Sequence, residues 1–362
     1  MRDQASGETP DSSFTPPAAN ASNERPNQMT ESHEPAIVAN NLHRVFRIGS
    51  NLLRRGTDIT AVHDISFSVP RGTIFGMLGP NGAGKTTTIK MLSTLLVPTS
   101  GSASVAGYDV QTHERHVRRQ LGVVLGGDRG LYMKISAVDN LRYFGNLYGM
   151  PKADIERRST ELLETVNLTE RASQRVEGFS RGMKQRLHLA KALLHDPPIL
   201  FLDEPTIGLD PAAAVDLRRA VASLVPDHTV LLTTHDMHEA DQLCREIAIV
   251  DHGRIVAQGT PGELKARVAG GRRVVVATRQ PLNGLADDIT GRLRSIETVR
   301  SVDQALTESG GSELTIFCND TAQALDDSLA IVRGYGVTID GIRVLEPTLE
   351  DAFLAIAGGR LQ

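Results

Sequence analysis

Residues 79–86 read GPNGAGKT, with three glycines and a proline crowded ahead of one lysine and one threonine. The spacing fits G-x-x-x-x-G-K-[ST], and it lies between the apolar run IFGML and an apolar-periodic segment opened by Lys85. Gly79, Gly82 and Gly84 can adopt backbone angles that turn successive N–H groups inward, forming a nest for phosphate oxygens at a helix N-terminus. Pro80, Asn81 and Ala83 complete that loop. Lys85 supplies a point charge for β- and γ-phosphates, the hydroxyl of Thr86 can ligate Mg²⁺, and Thr87 is placed to contact the α-phosphate.

A second stretch, PILFLDEPTIGLDP, delivers adjacent carboxylates, Asp203 and Glu204, at the polar end of an apolar strand. Asp203 can hold Mg²⁺ through water, while Glu204 can orient and polarise an attacking water, two duties that need two neighbouring carboxylates. Read alone, an apolar strand ending in Asp-Glu is common and usually structural. After a phosphate loop it reads as catalytic machinery.

Short apolar runs alternating with helical stretches must position these groups. AIVANNLHRVF, ISFSV, IFGML, ASVAG, LGVVL, ILFLDE, HTVLLTTH and EIAIVDHGRIVAQG read as strands, and near-continuous apolar strands alternating with helices predict an α/β core with a mostly parallel sheet buried on both faces. Residues 136–195 carry helical patterning only, which predicts an inserted helical subdomain ended by Pro197 and Pro198. Residues 1–35 are rich in Pro, Ser, Asn, Thr and Glu and are expected to form a disordered tail. Beyond a Gly- and Arg-containing joint, RVVVATR, ELTIFC and VTIDGIRVL read as strands, with helical spacing at Leu285, Ile289, Leu293 and Ile296 and again at Ala322, Leu325, Leu329 and Val332. The order strand, helix, strand, helix, strand predicts a small α+β domain of the split βαβ type over 272–358. In its last stretch, EPTLEDAFLAI, Thr348 caps a helix and Asp351 stands three residues on.

The 362 residues suffice for a large domain and a smaller one. Apolar content of 40% and charged content of 23% are ordinary for a soluble chain, and a net charge of -4 provides no general attraction to nucleic acid or to an anionic bilayer, so no nucleic-acid partner is expected. No apolar run reaches the roughly 18–20 residues that span a bilayer, and the N-terminus lacks the apolar core of a secretion signal. A cytoplasmic location follows as the expectation. Cys244 and Cys318, the two cysteines, read as packing residues.

With FSRGMKQRLHLAKALLHDPPILFLDEPTIGLDP in view, the sequence resembles the ATP-binding subunits of ABC transporters over roughly residues 36–265. The resemblance implies ATP and Mg²⁺ as ligands, a phosphate loop at 79–87, and a Walker B strand at Ile199 to Asp203 followed by a catalytic Glu204. The family signature, usually Leu-Ser-Gly-Gly-Gln, corresponds to Phe179, Ser180, Arg181, Gly182 and Met183; Asp210 matches the D-loop aspartate and His235, after LLTT, the switch histidine. Phe46 stands where the family carries an aromatic that stacks on adenine, a position where packing and stacking remain equal readings. The resemblance further implies a head-to-tail homodimer in which Ser180 to Met183 of one copy complete the site of the other. A separate integral-membrane permease would be driven from its cytoplasmic face by docking near residues 126–150.

Two features depart from the pattern. Where the family places a glutamine after the strand LGVVL, this chain has GGDRGLY; Asp128 standing in as a metal ligand through water and a plain surface turn remain open alternatives. Arg181 and Met183 replace the usual Gly and Gln of the signature. The C-terminal segment looks like the tail of exporter subunits of the daunorubicin-resistance type, with dimer packing or regulation as its implied role. The competing class is a soluble ABC ATPase acting on ribosomes or DNA; such proteins commonly carry two cassettes or a long coiled-coil insertion, neither of which this sequence has.

Overall fold

The computed structural model describes residues 34–48, 57–126, 130–268, 271–307 and 310–358. The expected N-terminal tail lies outside the described residues apart from Glu34 and Pro35, and Asp128 lies outside them as well. Along the chain run β1 (Ile37–Ile48), β2 (Thr57–Val69), β3 (Ile74–Leu78), α1 (Lys85–Leu92), β4 (Ser100–Val105), β5 (Tyr108–Asp109), α2 (Glu114–Arg119) and β6 (Leu121–Val124). Three helices follow, α3 (Ala137–Leu147), α4 (Lys152–Thr165) and α5 (Arg181–Leu193), then β7 (Ile199–Asp203), α6 (Pro211–Ala222), β8 (Thr229–Thr234), α7 (Met237–Leu243), β9 (Glu246–Asp251), β10 (Arg254–Gly259) and α8 (Pro261–Ala266). The last segment holds β11 (Arg272–Thr278), α9 (Ala286–Arg294), β12 (Val299–Leu306), β13 (Ser312–Cys318), α10 (Thr321–Gly334), β14 (Ile339–Leu345) and α11 (Leu349–Gly358).

A six-stranded sheet in the order β10-β9-β3-β8-β7-β6 forms the centre. Its five strands from β9 to β6 are parallel and β10 adds an antiparallel edge. All five residues of β3 and of β7 are buried. Alternation sends Leu200 and Leu202 of β7 into a cluster shared with α3 to α7, and Ile199 and Phe201 into an opposite cluster with α1, β1 and β2. Each such side chain contributes about 1.5–3 kcal/mol of burial, so both faces hold the strand ends that carry the site. The first strands separate into a second, antiparallel sheet, β2-β1-β4-β5, a division the apolar runs do not reveal because strands of either sheet read alike.

Between β6 and β7, the helices α3 and α5 are capped by Ser136 and Ser180, whose hydroxyls accept from the N–H groups of Asp139 and Met183.

The C-terminal segment holds one strand more than expected. β12 lies between α9 and β13, and the sheet runs β12-β13-β11-β14 with all neighbours antiparallel. Only Val299 and Val302 of its eight residues are buried, so its sequence, VRSVDQAL, has no strand-like alternation. The buried stripe of α10 is Ala324, Ser328 and Val332; of the four residues read from the apolar spacing, Val332 is inside, Leu325 packs half-buried against the core and Ala322 is exposed, while Ser328 lies inward because its hydroxyl donates to the carbonyl of Ala324 one turn back. At α11, Thr348 Oγ1 accepts from Asp351 N at 3.1 Å and Asp351 Oδ2 accepts from Thr348 N at 2.9 Å, a reciprocal cap. Asp351 also pairs with Arg273 of β11 at 2.6 Å. Leu349 is buried in the core of the central sheet's helical side, with Phe353 and Ile356 packed against it. The last helix therefore returns to α7 and α8. Cys244 and Cys318 are both buried and unpaired.

Candidate active site

Close backbone approach explains the glycines of the phosphate loop. A Cβ at Gly79 would lie 2.1 Å from the carbonyl oxygen of Val250, and one at Gly84 would lie 2.5 Å from that of Ala61. Gly84 has φ 102 and occupies the cap position of α1 with no side-chain hydrogen bond and no acid in the first turn. The N–H groups at this helix start are thus not taken up by a capping side chain, and the helix dipole favours an anion there. Residues 81–87, Ala61 and Glu204 wall a cavity of about 140 Å³.

Lys85 is only 4% exposed. Its Nζ donates to the carbonyls of Gly79 at 2.7 Å and Pro80 at 3.1 Å and lies 3.3 Å from Glu204 Oε1. Those three oxygens fix the ammonium over the cavity without neutralising a second anion. Thr86 Oγ1 and Thr233 Oγ1 both donate to Asp203 Oδ1, at 3.1 and 2.5 Å. A hydroxyl and a carboxylate so placed form the oxygen-rich, hard-ligand set that suits Mg²⁺, and the nest at α1 suits the phosphates that would share it.

Glu204 follows β7 with φ 48, a left-handed conformation costing a non-glycine residue about 1–2 kcal/mol. Its N–H donates to the carbonyl of Thr233 at 3.0 Å, which holds the turn. The turn places Oε1 against Lys85 and Oε2 3.4 Å from His235 Nδ1. A second cavity of about 150 Å³, lined by Glu204, Thr206, Ile207, Gly208, Thr234, His235 and Asp236, opens on the other side. Glu204 is therefore the wall between the phosphate cradle and a chamber that reaches solvent beside His235, whose side chain is half-exposed.

Two residues absent from the motif reading stand directly behind these groups. Thr233 pairs in register with Asp203 across β7 and β8, so the TT before His235 carried a signal for it. Glu239, in the first turn of α7, is fully buried beside Thr206 and Thr234; burial pushes its pKa up.

The remaining sequence candidates are elsewhere in this chain. Ser180, Arg181, Gly182 and Met183 do not line the phosphate cavity. Gly182 packs so closely on α6 that a Cβ would lie 2.6 Å from Ala213 Cβ, and the Arg181 guanidinium lies over Gly208. Asp210 caps α6, accepting from Ala213 N at 2.9 Å. Phe46 is half-buried on β1 with the Arg44 guanidinium 4.8 Å over its ring, and it does not line the cavity.

Residues 62–207 match the profile of the ABC transporter family. The chain is 35% identical over 304 residues to the linearmycin resistance ATP-binding protein LnrL of Bacillus subtilis, covering 84% of this chain and 95% of that protein. It is 37% identical to the daunorubicin resistance ATP-binding protein DrrA3 of Streptomyces coeruleorubidus, covering 84% and 93%, and 37% identical to the Nod factor export ATP-binding protein I of Ralstonia nicotianae, covering 86% and 93%. Among solved structures, an ATP-binding subunit of an ABC transporter superposes with a TM-score of 0.54 at 31% identity, over 64% of this chain and 92% of that one. A dimeric ATP-binding cassette in a post-hydrolysis state with ADP and Pi shares the fold at a TM-score of 0.55 and 22% identity, over 62% and 98%. Relatives of this extent, together with a phosphate cradle closed by a lysine, a carboxylate and a histidine, place the chain in the ABC transporter family as an ATP-binding protein.

Proposed function

We propose that this chain hydrolyses ATP as one half of a homodimer and so drives export through a separate membrane permease, working at the cytoplasmic face. The carrying observation is the continuous line Lys85, Glu204, His235, in which one carboxylate faces the phosphate cradle with one oxygen and an imidazole with the other. Residues 81–87 would cradle the phosphates, with Lys85 turning from the carbonyls of Gly79 and Pro80 toward them. Thr86 and Asp203 would hold Mg²⁺, which when bound neutralises charge on the β- and γ-oxygens. Glu204 then orients a water for attack on the terminal phosphorus, and His235 keeps the carboxylate and the phosphate in register.

This chain's own signature residues lie outside the cradle, which supports completion of the site by Ser180 to Met183 of a second copy, whose capped helix α5 presents its positive end. Asp210 would lie at that seam, and Phe46 would stack on adenine. Drug resistance and Nod factor export are in the names of the relatives, which supports export as the direction. Among the described residues no helix is long and apolar enough to cross a membrane. A cleft of about 370 Å³, lined in part by Leu121, Val123, Leu125, Phe144 and Tyr148, adjoins residues 126–150 and supports permease docking there.

Glu204→Gln tests the reading, because it keeps the shape and removes the base. Turnover of ATP is expected to fall by about 100-fold or more, the usual range for a general base, while ATP-dependent dimers persist in size-exclusion chromatography. A monomeric Glu204→Gln protein with full turnover would overturn it.

A further inference from the structure

Away from the nucleotide cradle, β1 and β2 bring two imidazoles and a carboxylate together. Their register slips where Leu42 faces Ile65 and Arg44 faces Val62, so that His43 alone stands opposite both His63 and Asp64. Asp64 adopts φ 56 at this irregularity, which swings its side chain to the same side as the two rings. His43 Nδ1 lies 3.4 Å from Asp64 Oδ1 and His63 Nδ1 lies 3.0 Å from Asp64 Oδ2. The rings meet edge to face with centroids 5.2 Å apart, and one donor atom from each residue lies within 4.8 Å of the others. His43 Nδ1 is shielded from solvent and makes no hydrogen bond.

We propose that His43, His63 and Asp64 form a binding site for Zn²⁺ or a similar borderline divalent cation. Tetrahedral ligands at about 2.0–2.1 Å from zinc stand about 3.3–3.4 Å from one another, which the His43 to Asp64 separation already meets. Binding would draw the two rings, now edge to face, toward a common point beside Asp64. Two neutral nitrogens and one carboxylate favour zinc over Mg²⁺ or Ca²⁺, which take oxygen sets, and the half-exposed Asp64 leaves a side from which water could complete the set. The site owes nothing to the phosphate chemistry, yet it touches its support: His63 N donates to Gly253 O at 2.7 Å, and Gly253 N donates to Ala83 O within the phosphate loop at 3.0 Å.

Arg254 opposes the cation. Its Nη2 lies 2.6 Å from His63 Nε2; a guanidinium can only donate, so the imidazole carries its proton on Nδ1 and gives it to Asp64. A metal on Nδ1 requires the other tautomer, with the proton on Nε2, and the exposed guanidinium must swing into solvent.

The test is titration of the chelator-treated full-length chain with Co²⁺, followed by visible absorbance, and with Zn²⁺, followed by calorimetry. One equivalent should bind with micromolar affinity or better. His43→Ala and Asp64→Asn should each weaken it by about tenfold or more; Asn tolerates the left-handed backbone at 64, so that variant keeps the fold. Arg254→Gln should tighten binding several-fold, and His113→Ala, just before α2, should leave it unchanged. Lack of saturable binding, or binding equal in wild type, His43→Ala and Asp64→Asn, would overturn the assignment, as would weaker binding in Arg254→Gln.

Discussion

Gly182 offers a sharp test of how the signature helix is seated. The Cβ added by Gly182→Ala would lie 2.6 Å from Ala213 Cβ, about an ångström inside ordinary contact. α5 cannot yield there without lifting off α6. Overpacking of this kind costs about 1–3 kcal/mol, and the middle of that range, about 2 kcal/mol, is expected here. Ala213→Gly removes the obstructing methyl at a helix cost of at most about 1 kcal/mol. If the clash is the whole cause, the double variant should lose about 1 kcal/mol rather than the sum of about 3, a coupling of about 2 kcal/mol. Calorimetric scans should then show Tm falling by about 3 °C in Gly182→Ala and by about 1.5 °C in the pair, at about 1.5 °C per kcal/mol for a unit of this size. Because the added methyl points at α6, ATP turnover lost in the single variant should return in the pair. A double variant less stable than either single one would show that the glycine is required for some reason other than its distance from Ala213.

Lys85→Ala should weaken ATP binding about 10- to 100-fold, the worth of a charge-assisted contact; an unchanged Kd for a fluorescent ATP analogue would show that the ammonium stays on its carbonyls when nucleotide binds. Burial raises the pKa of Glu239, so the folded state keeps a proton that the unfolded chain has released. Stability conferred by that proton is complete below the ordinary carboxyl pKa of about 4.3 and is lost as pH climbs toward the folded value, with a slope of at most about 1.4 kcal/mol per unit. Glu239→Gln has no such proton to lose, so its Tm should gain on wild type as pH rises from 4.5, and parallel Tm curves would refute the buried acid.

The phosphate loop was legible because its chemistry requires residues that nothing else satisfies: Gly79 and Gly84 stand where carbonyls approach within a Cβ's reach. The Asp203, Glu204 pair and His235 were legible as types, but their convergence depends on the left-handed turn at Glu204 and on β7 pairing with β8, which no local pattern encodes. Thr233 left a trace in the TT before His235, but its importance comes from its register with Asp203, and that of Glu239 from burial. β12 escaped because an edge strand with two buried residues need not alternate. Of the stripe read on α10 only Val332 is fully inside, because a serine can lie inward once its hydroxyl finds a backbone carbonyl.

The return of α11 has a practical outcome for anyone shortening the gene. Ending translation at the joint near residue 270 would strip Leu349, Ala352, Phe353 and Ile356 from α7 and α8 and uncover the apolar surface they shield. A truncated cassette is expected to aggregate during expression, and tails exchanged between relatives should be tolerated only when the residues they seat against travel with them.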